Sequence, residues 1–175
     1  MKALVVFYSR SGNTRALAQG IASVLGAETE EISDGIHRGG ILGYLRSGTE
    51  ASLSRCPRIA RAVHDPASFD LVVIGTPVWR LSLSSPVRTY LTEHAAALPR
   101  VAFFCTMGGF GSKRVFRQMT ALAGRSPVAT LVRTERQLAT KDLPFVIEAF
   151  ASRLGEVNPP RRAPAGRRDA RVASS

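Results

Sequence analysis

The sequence predicts an α/β fold with a doubly wound, five-stranded parallel sheet, and two observations support that class. Short apolar runs rich in Val, Ile and Phe recur at residues 3–7, 71–75 and 101–105, which is typical of strands covered on both faces. Weaker strand candidates lie at 28–32 and 129–133. Amphipathic stretches of helical length alternate with these runs, as in a sheet built from β-α-β units.

The elements follow the order β-α-β-insert-β-α-β-α-β-α, with helices predicted at residues 14–25, 86–97, 113–122 and 143–154. Ser85 can cap the second helix, and Pro86 suits its first turn. The buried face of the first helix is predicted to hold Leu17, Ile21, Val24 and Leu25. Right-handed crossovers bring the carboxyl ends of the strands to one edge, where such sheets bind ligands.

The 175 residues fit one domain at 1–156, followed by a basic tail at 157–175. The tail has five arginines against Asp169 in a stretch rich in Pro, Ala and Gly, a composition that predicts disorder. The rest of the net charge of +11 is spread over the preceding residues, with no aromatic residues interleaved in a dense basic run. This pattern favours a solvated basic surface over a specific nucleic-acid site.

The sequence shows neither a membrane span nor a secretory signal pattern, so we expect a cytoplasmic protein. Cys56 and Cys105 have no disulfide or metal-ligand spacing and are interpreted as reduced bystanders. His37 and His64 belong to no recognisable motif, and we interpret both as surface histidines.

Three segments rich in Gly, Ser and Thr follow predicted strands, at residues 9–14, 76–85 and 106–112. In the first, SRSGNT, unpaired amides at a helix N-terminus meet Gly12 and several short polar side chains, which together can cradle an anion. Helix capping alone explains this segment equally well. Three polar segments at one sheet edge favour the anion site.

The absence of two phosphate-binding motifs narrows the chemical class of the anion. No GxxxxGK[ST] or GxGxxG pattern follows a strand, so a terminal monophosphate fits better than a nucleoside triphosphate or a dinucleotide. Neither cysteine has an arginine six positions later, which excludes a thiolate phosphatase.

The three segments together resemble the flavodoxin family over residues 1–154. Ser9, Ser11, Gly12 and Thr14 match the family's phosphate loop. The resemblance implies FMN as cofactor, with its phosphate bound by Ser9, Arg10, Ser11, Gly12, Asn13 and Thr14. It also implies that Trp79 lies against the isoalloxazine ring, near backbone groups of Thr76, Pro77 and Val78. The third segment would face the pyrimidine edge of the flavin through Thr106, Met107, Gly108, Gly109, Phe110 and Gly111.

Some interpretations of these residues remain open. A loop position is favoured for Trp79 over simple packing, because Pro77 interrupts the segment. Phe110 either covers the flavin or plugs the loop. The glycines of the third segment serve turn geometry, access of the flavin to the backbone, or both.

The basic charge sets this chain apart from the typically acidic electron-transfer flavodoxins. Arg80 directly follows Trp79, and a cation near the flavin favours its fully reduced, anionic form. We therefore expect an FMN-dependent oxidoreductase that uses NAD(P)H for two-electron reduction of a quinone-like or other small acceptor. The alternative is a non-enzymatic electron-transfer protein that docks to redox proteins, and a third interpretation is a flavin-free binding domain. The sequence identifies no catalytic side chain and no metal site.

The insert at residues 33–68 is long for a connection between two elements. A flap over the flavin, a contact in a homodimer and an ordinary crossover helix all fit its sequence.

Overall fold

A computed structural model describes residues 1–33 and 58–156, and it confirms the doubly wound parallel sheet. The strands are β1 (Ala3–Phe7), β2 (Glu28–Glu31), β3 (Leu71–Trp79), β4 (Ser82–Leu83), β5 (Arg100–Met107) and β6 (Thr130–Thr134). The helices within those residues are α1 (Asn13–Leu25), α2 (Ser85–His94), α3 (Ser112–Ala123), α4 (Glu135–Leu138) and α5 (Leu143–Glu156). Single 3₁₀ turns add Pro66–Ser68 and Ala95–Ala97.

The sheet has the strand order β2-β1-β3-β5-β6, with all neighbours on this path parallel. The short strand β4 pairs antiparallel with the end of β3 and stands off that path. The chain reverses its direction of travel across the sheet between β1 and β3. The carboxyl ends of these two strands therefore flank the position where sheets of this kind bind ligands.

Helices cover both faces of the sheet, as the continuous apolar strands predict. On one face, alternate residues of β1 such as Val5 and Phe7 pack with α1 and α5. On the other face, Leu4 and Val6 pack with α2 and α3. The core thus consists of two apolar layers separated by the sheet.

Two details of the helices differ from the prediction. Val24 is 48% exposed, because the buried face of α1 is centred toward Ala18 and Ala22 rather than toward Val24. Ser85 lies inside α2, and the capping position belongs to Ser84. The Ser84 side chain makes no cap hydrogen bond.

Several predictions concern residues outside the described ranges: the tail at 157–175, the greater part of the insert, His37 and Cys56. Among the described residues, no helix is long and apolar enough to cross a membrane.

Candidate functional site

The three polar segments meet at the carboxyl edge of the sheet around a cleft of about 200 Å³. Nine of the sixteen predicted site residues line this cleft: Arg10, Ser11, Asn13, Pro77, Val78, Trp79, Thr106, Met107 and Gly108. Glu135 completes the lining. The cleft lies at the β1–β3 switch point, where the topology predicts a ligand.

The first segment forms a tight turn that exposes backbone amides. Gly12 has φ +92°, a conformation that favours glycine, and an added Cβ there would meet no atom within 4 Å. The Ser9 hydroxyl accepts hydrogen bonds from the amides of Gly12 and Arg15, each at 3.2 Å. Within residues 1–33 and 58–156, the amides of Ser11, Asn13 and Thr14 have no acceptor. Unpaired N–H groups at the start of α1 favour an anion at this end of the cleft.

A buried hydrogen bond joins the first segment to the third. The hydroxyl groups of Thr14 and Thr106 lie 2.8 Å apart, and both residues are at most 4% exposed. One hydroxyl donates to the other, and this contact holds the two segments in position relative to each other.

The second segment is a β-hairpin, and the predicted loop position of Trp79 is wrong. Trp79 is the last residue of β3 and pairs with Ser82 across a two-residue turn. The turn residues Arg80 and Leu81 have φ values of +46° and +62°, the backbone of a type I′ turn. The usual sequence signal for this turn is Asn-Gly or Asp-Gly, which Arg-Leu does not provide.

Trp79 forms a packed wall of the cleft. It is only 6% exposed, and its ring meets that of Tyr8 edge to face, with centroids 5.5 Å apart and an interplanar angle of 86°. Tyr8 immediately follows β1, so the aromatic pair spans the switch point. Tyr8 is not predictable as a site residue, since a single tyrosine after a strand belongs to no motif.

Thr76 closes the base of the hairpin and does not line the cleft. Its side chain is fully buried, and its hydroxyl lies 2.8 Å from that of Ser84 and donates to the Pro77 carbonyl at 2.9 Å. The Ser84 hydroxyl contacts Thr76 and makes no hydrogen bond to the first amides of α2.

The third segment packs against the hairpin through Gly111. This residue has φ +115°, and an added Cβ would lie 3.1 Å from both the Leu81 Cα and the Val78 Cγ1. Phe110, by contrast, is 75% exposed, so it does not plug the loop.

Glu135 is the lining residue that the sequence analysis missed. It begins α4, directly after β6, whose carboxyl end reaches the same edge of the sheet as β5. Thr134 and Gln137 form a capping box around it, with hydrogen bonds of 3.3 and 3.0 Å. This T-x-x-Q pattern after the last strand could have indicated a fourth segment at the cleft.

The cleft offers binding groups rather than a reactive thiol. Cys105 is fully buried in β5, and burial raises the pKa of its thiol to about 12, so it stays protonated at neutral pH. In the described part of the chain, no three His, Cys, Asp or Glu side chains are grouped to hold a metal ion. Backbone amides, an aromatic wall and two ionisable residues, Arg10 and Glu135, therefore define the chemistry of the cleft.

Fold and cleft together define an α/β protein with a polar cleft at the switch point of a parallel sheet of order β2-β1-β3-β5-β6. The family model described as Flavodoxin matches residues 2–132, so the chain belongs to the flavodoxin family. The resemblance predicted from the three segments is thereby confirmed. Comparison with curated proteins gives no match.

Solved structures agree with this fold. A flavoprotein from Lactobacillus acidophilus, solved in complex with FMN, is 24% identical and has a TM-score of 0.66, with 75% of this chain and 92% of that chain covered. A structure from Bacteroides uniformis, assigned as a flavoprotein, is 20% identical at a TM-score of 0.73, covering 86% and 97%. The flavodoxin of Streptococcus pneumoniae is 18% identical at 0.56, covering 89% and 98%.

Proposed function

We propose that the cleft binds FMN and that the chain is a flavin-dependent redox protein. The observation that carries this proposal is a set of amides with no acceptor among the described residues, those of Ser11, Asn13 and Thr14, beside the aromatic wall of Trp79. The Lactobacillus flavoprotein, solved with FMN, has the same fold and supports the choice of ligand.

Each segment would hold a different part of FMN. The phosphate fits the first segment, where open space above Gly12 leaves the amides accessible. The ring fits against Pro77, Val78 and Trp79, with the backbone of residues 106–111 at its polar edge. Ligand pockets of this class usually measure about 300–1,000 Å³. The cleft is smaller, at about 200 Å³, so FMN would extend out of its open side.

When bound, FMN supplies a ring that accepts a hydride or electrons, and the chain positions and tunes that ring. Ser9 acts indirectly, because its hydroxyl holds two amides of the loop. The Thr14–Thr106 hydrogen bond keeps the phosphate segment in register with the segment at the ring edge.

Comparison of FMN with riboflavin, which lacks the phosphate, tests this assignment. We expect FMN to bind at least about 100-fold more tightly, because several charge-assisted hydrogen bonds depend on the phosphate. Asn13→Asp places a negative charge beside the phosphate but suits a helix N-terminus. It should weaken FMN binding about tenfold or more and leave riboflavin binding within about twofold.

Flavin fluorescence titration measures both affinities. Gln19→Glu is the matched control, because it adds the same charge at an exposed position further along α1. Equal affinity for FMN and riboflavin would contradict the phosphate site. Failure of the protein to bind any added FMN would overturn the proposed function.

The finer proposal is NAD(P)H-dependent, two-electron reduction of a quinone-like or other small acceptor. It rests on Arg80, which is exposed at the hairpin turn next to Trp79 and can stabilise negative charge on a reduced ring. Aerobic oxidation of NAD(P)H by the FMN-loaded protein, with and without a quinone, tests it directly. Arg80→Glu should lower the midpoint potential of the bound flavin, and an unchanged potential would count against the role of Arg80.

Electron transfer between proteins is the second candidate function. The observation that favours it is a group of exposed cations beside the cleft, for which the described residues provide no acidic partner.

A further inference from the structure

The positive charge of the described residues is concentrated on one side of the β1–β3 switch point. Residues 71–134 contain eight arginines and lysines against a single acid, Glu93, a net charge of +7. Residues 1–33 and 58–70 contain five cations and five acids, a net charge of zero. The charges within α2 cancel, so the excess belongs to the hairpin turn, α3, β5, β6 and the connection between α3 and β6.

Four of these eight cations have no partner among the described residues. One lies at the hairpin turn directly after the cleft residue Trp79, and three lie in the first half of α3, which follows the cleft residue Gly108 in the chain. They are exposed, and within residues 1–33 and 58–156 none makes an ion pair or a side-chain hydrogen bond: Arg80, Lys113, Arg114 and Arg117. We call the surface formed by these four cations, with Leu81 and Phe110, the basic rim. Three of the other cations bind backbone carbonyls instead: Arg100, Arg125 and Arg133.

The hairpin and α3 hold the basic rim together. The Gln118 side-chain oxygen accepts hydrogen bonds from the Leu83 amide at 2.9 Å and from the Ser82 hydroxyl at 3.1 Å. Gly111, at the start of α3, packs closely against Leu81. These contacts join the turn and the first part of α3 into one surface, which continues directly from the cleft residues Val78, Trp79 and Gly108.

The basic rim also has an apolar component. Phe110 is 75% exposed and Leu81 is 38% exposed. Leu81 directly follows Arg80 and packs against Gly111, the residue after Phe110. An apolar centre with charged surroundings is the usual anatomy of a protein interface. Four unpaired cations around it would attract a surface of opposite charge and speed its approach.

We propose that the basic rim docks an acidic redox protein that exchanges electrons with the flavin in the cleft. This inference rests on the proposed function for its electron-transfer step. The location of the rim favours a protein as the partner over a nucleic acid. A partner bound there would lie close to the flavin, and a redox protein can exchange electrons with the flavin whereas a nucleic acid does not. The rim also presents only Phe110 as an exposed aromatic ring, whereas single-strand binding sites use successive stacking residues.

Stopped-flow reduction of the FMN-loaded protein by a chemically reduced, acidic [2Fe–2S] ferredoxin tests the proposal. The rim variant combines Lys113→Gln, Arg114→Gln and Arg117→Gln. The matched control, Arg58→Gln, Arg61→Gln and Arg153→Gln, removes the same charge from exposed positions elsewhere. At about 20 mM salt we expect the rim variant to react about tenfold more slowly than wild type and the control within about twofold. Raising the salt to about 300 mM should remove most of this difference.

Equal rates for the rim variant and the control would overturn the proposal. A wild-type rate that rises with salt would also overturn it, because that dependence indicates repulsion. Binding of duplex DNA that depends on the rim, without a rim effect on the ferredoxin reaction, would assign the surface to nucleic acid and sink the inference.

Calorimetric titration of ferredoxin into the protein, with and without FMN, separates the two proposals. Docking that depends on the rim in the absence of bound FMN supports the surface even if the cofactor assignment fails. Visible absorbance verifies that the protein is loaded with FMN. If the loaded protein then shows no docking of ferredoxin, the proposed docking surface is contradicted and the FMN assignment stands.

Discussion

Charged side chains are used differently on the two sides of the switch point. Beside β2, Arg15 donates two hydrogen bonds to Glu31, at 2.8 and 2.7 Å, and the hydrogen bond and the charge both raise the pKa of the guanidinium. The His64 ring lies between Glu28 and Glu30, with nitrogen–oxygen distances of 3.0 and 2.8 Å. Across the sheet, the four cations of the basic rim have no such partners among the described residues.

Some charged side chains on the β2 side stabilise the fold through contacts with neighbouring residues, whereas the cations of the basic rim remain available to bind a partner. Glu30 accepts hydrogen bonds from the amides of Val63 and His64 as well as from the imidazole, and so ties residues 63–64 to β2. On the rim, contacts of Gly111 and Gln118 hold the surface, and the cations take no part in them. Loss of the rim charges should therefore leave stability nearly unchanged, whereas loss of the Glu30 carboxylate on the β2 side should destabilise the fold.

The largest change in stability is expected at Gly111, where the start of α3 packs against the hairpin turn. Gly111→Ala should lower the free energy of unfolding by about 3 kcal/mol, since it combines strain at positive φ with a tight contact to Leu81. Urea denaturation of the unliganded protein measures the change. Gly12→Ala is the control, because it has the strain without the contact and should cost about 1–2 kcal/mol. Equal costs would show that the hairpin contact contributes nothing.

On the β2 side, Glu30→Ala should cost about 2 kcal/mol, because three hydrogen-bond donors lose their acceptor. Glu28→Ala should cost less than about 1 kcal/mol, since the Glu28 side chain is 49% exposed and, within residues 1–33 and 58–156, contacts only the Lys2 ammonium and the His64 ring. Both values come from the same urea experiment. Similar losses in the two variants would contradict the structural role of Glu30.

Substitutions at the hairpin turn should stabilise the protein rather than destabilise it. Replacing Arg80 and Leu81 with Asn and Gly should raise the free energy of unfolding by about 1 kcal/mol, because both positions have positive φ. Thermal and urea denaturation should agree on the direction. A neutral or destabilising result would mean that packing of the Leu81 side chain outweighs the strain.

The smallest effects are expected for the exposed cations themselves. Arg15→Gln removes an exposed ion pair and should cost about 0.5 kcal/mol at low salt. The rim variant, with Lys113, Arg114 and Arg117 changed to Gln, should stay within about 0.5 kcal/mol of wild type or gain slightly from reduced repulsion. If the rim variant loses more than about 0.5 kcal/mol in free energy of unfolding, these cations do stabilise the fold.

The sequence predicts the sheet well, because continuous apolar runs have few alternatives to buried parallel strands. It predicts α1 less well at Val24, because two alanines on the other side of the helix allow closer packing there. Pro77 indicates the end of a strand and Arg-Leu gives no signal for a tight turn, so the sequence predicts a loop at Trp79 where the structure has a hairpin. Glu135 was missed because it follows the weakest strand pattern, although it lies at the same edge. Nine predicted residues still line one cleft, since their position at strand ends follows from topology alone.

The buried hydroxyl pair of Thr14 and Thr106 has a kinetic consequence. A hydrogen bond of 2.8 Å between two segments that are 92 residues apart in sequence links both sides of the cleft in the folded protein. A ligand that enters the cleft then meets a preorganised site and loses little affinity to the ordering of loops. Its association rate would be governed by diffusion and by the field of nearby charges, and differences in affinity would appear mainly in how slowly it leaves.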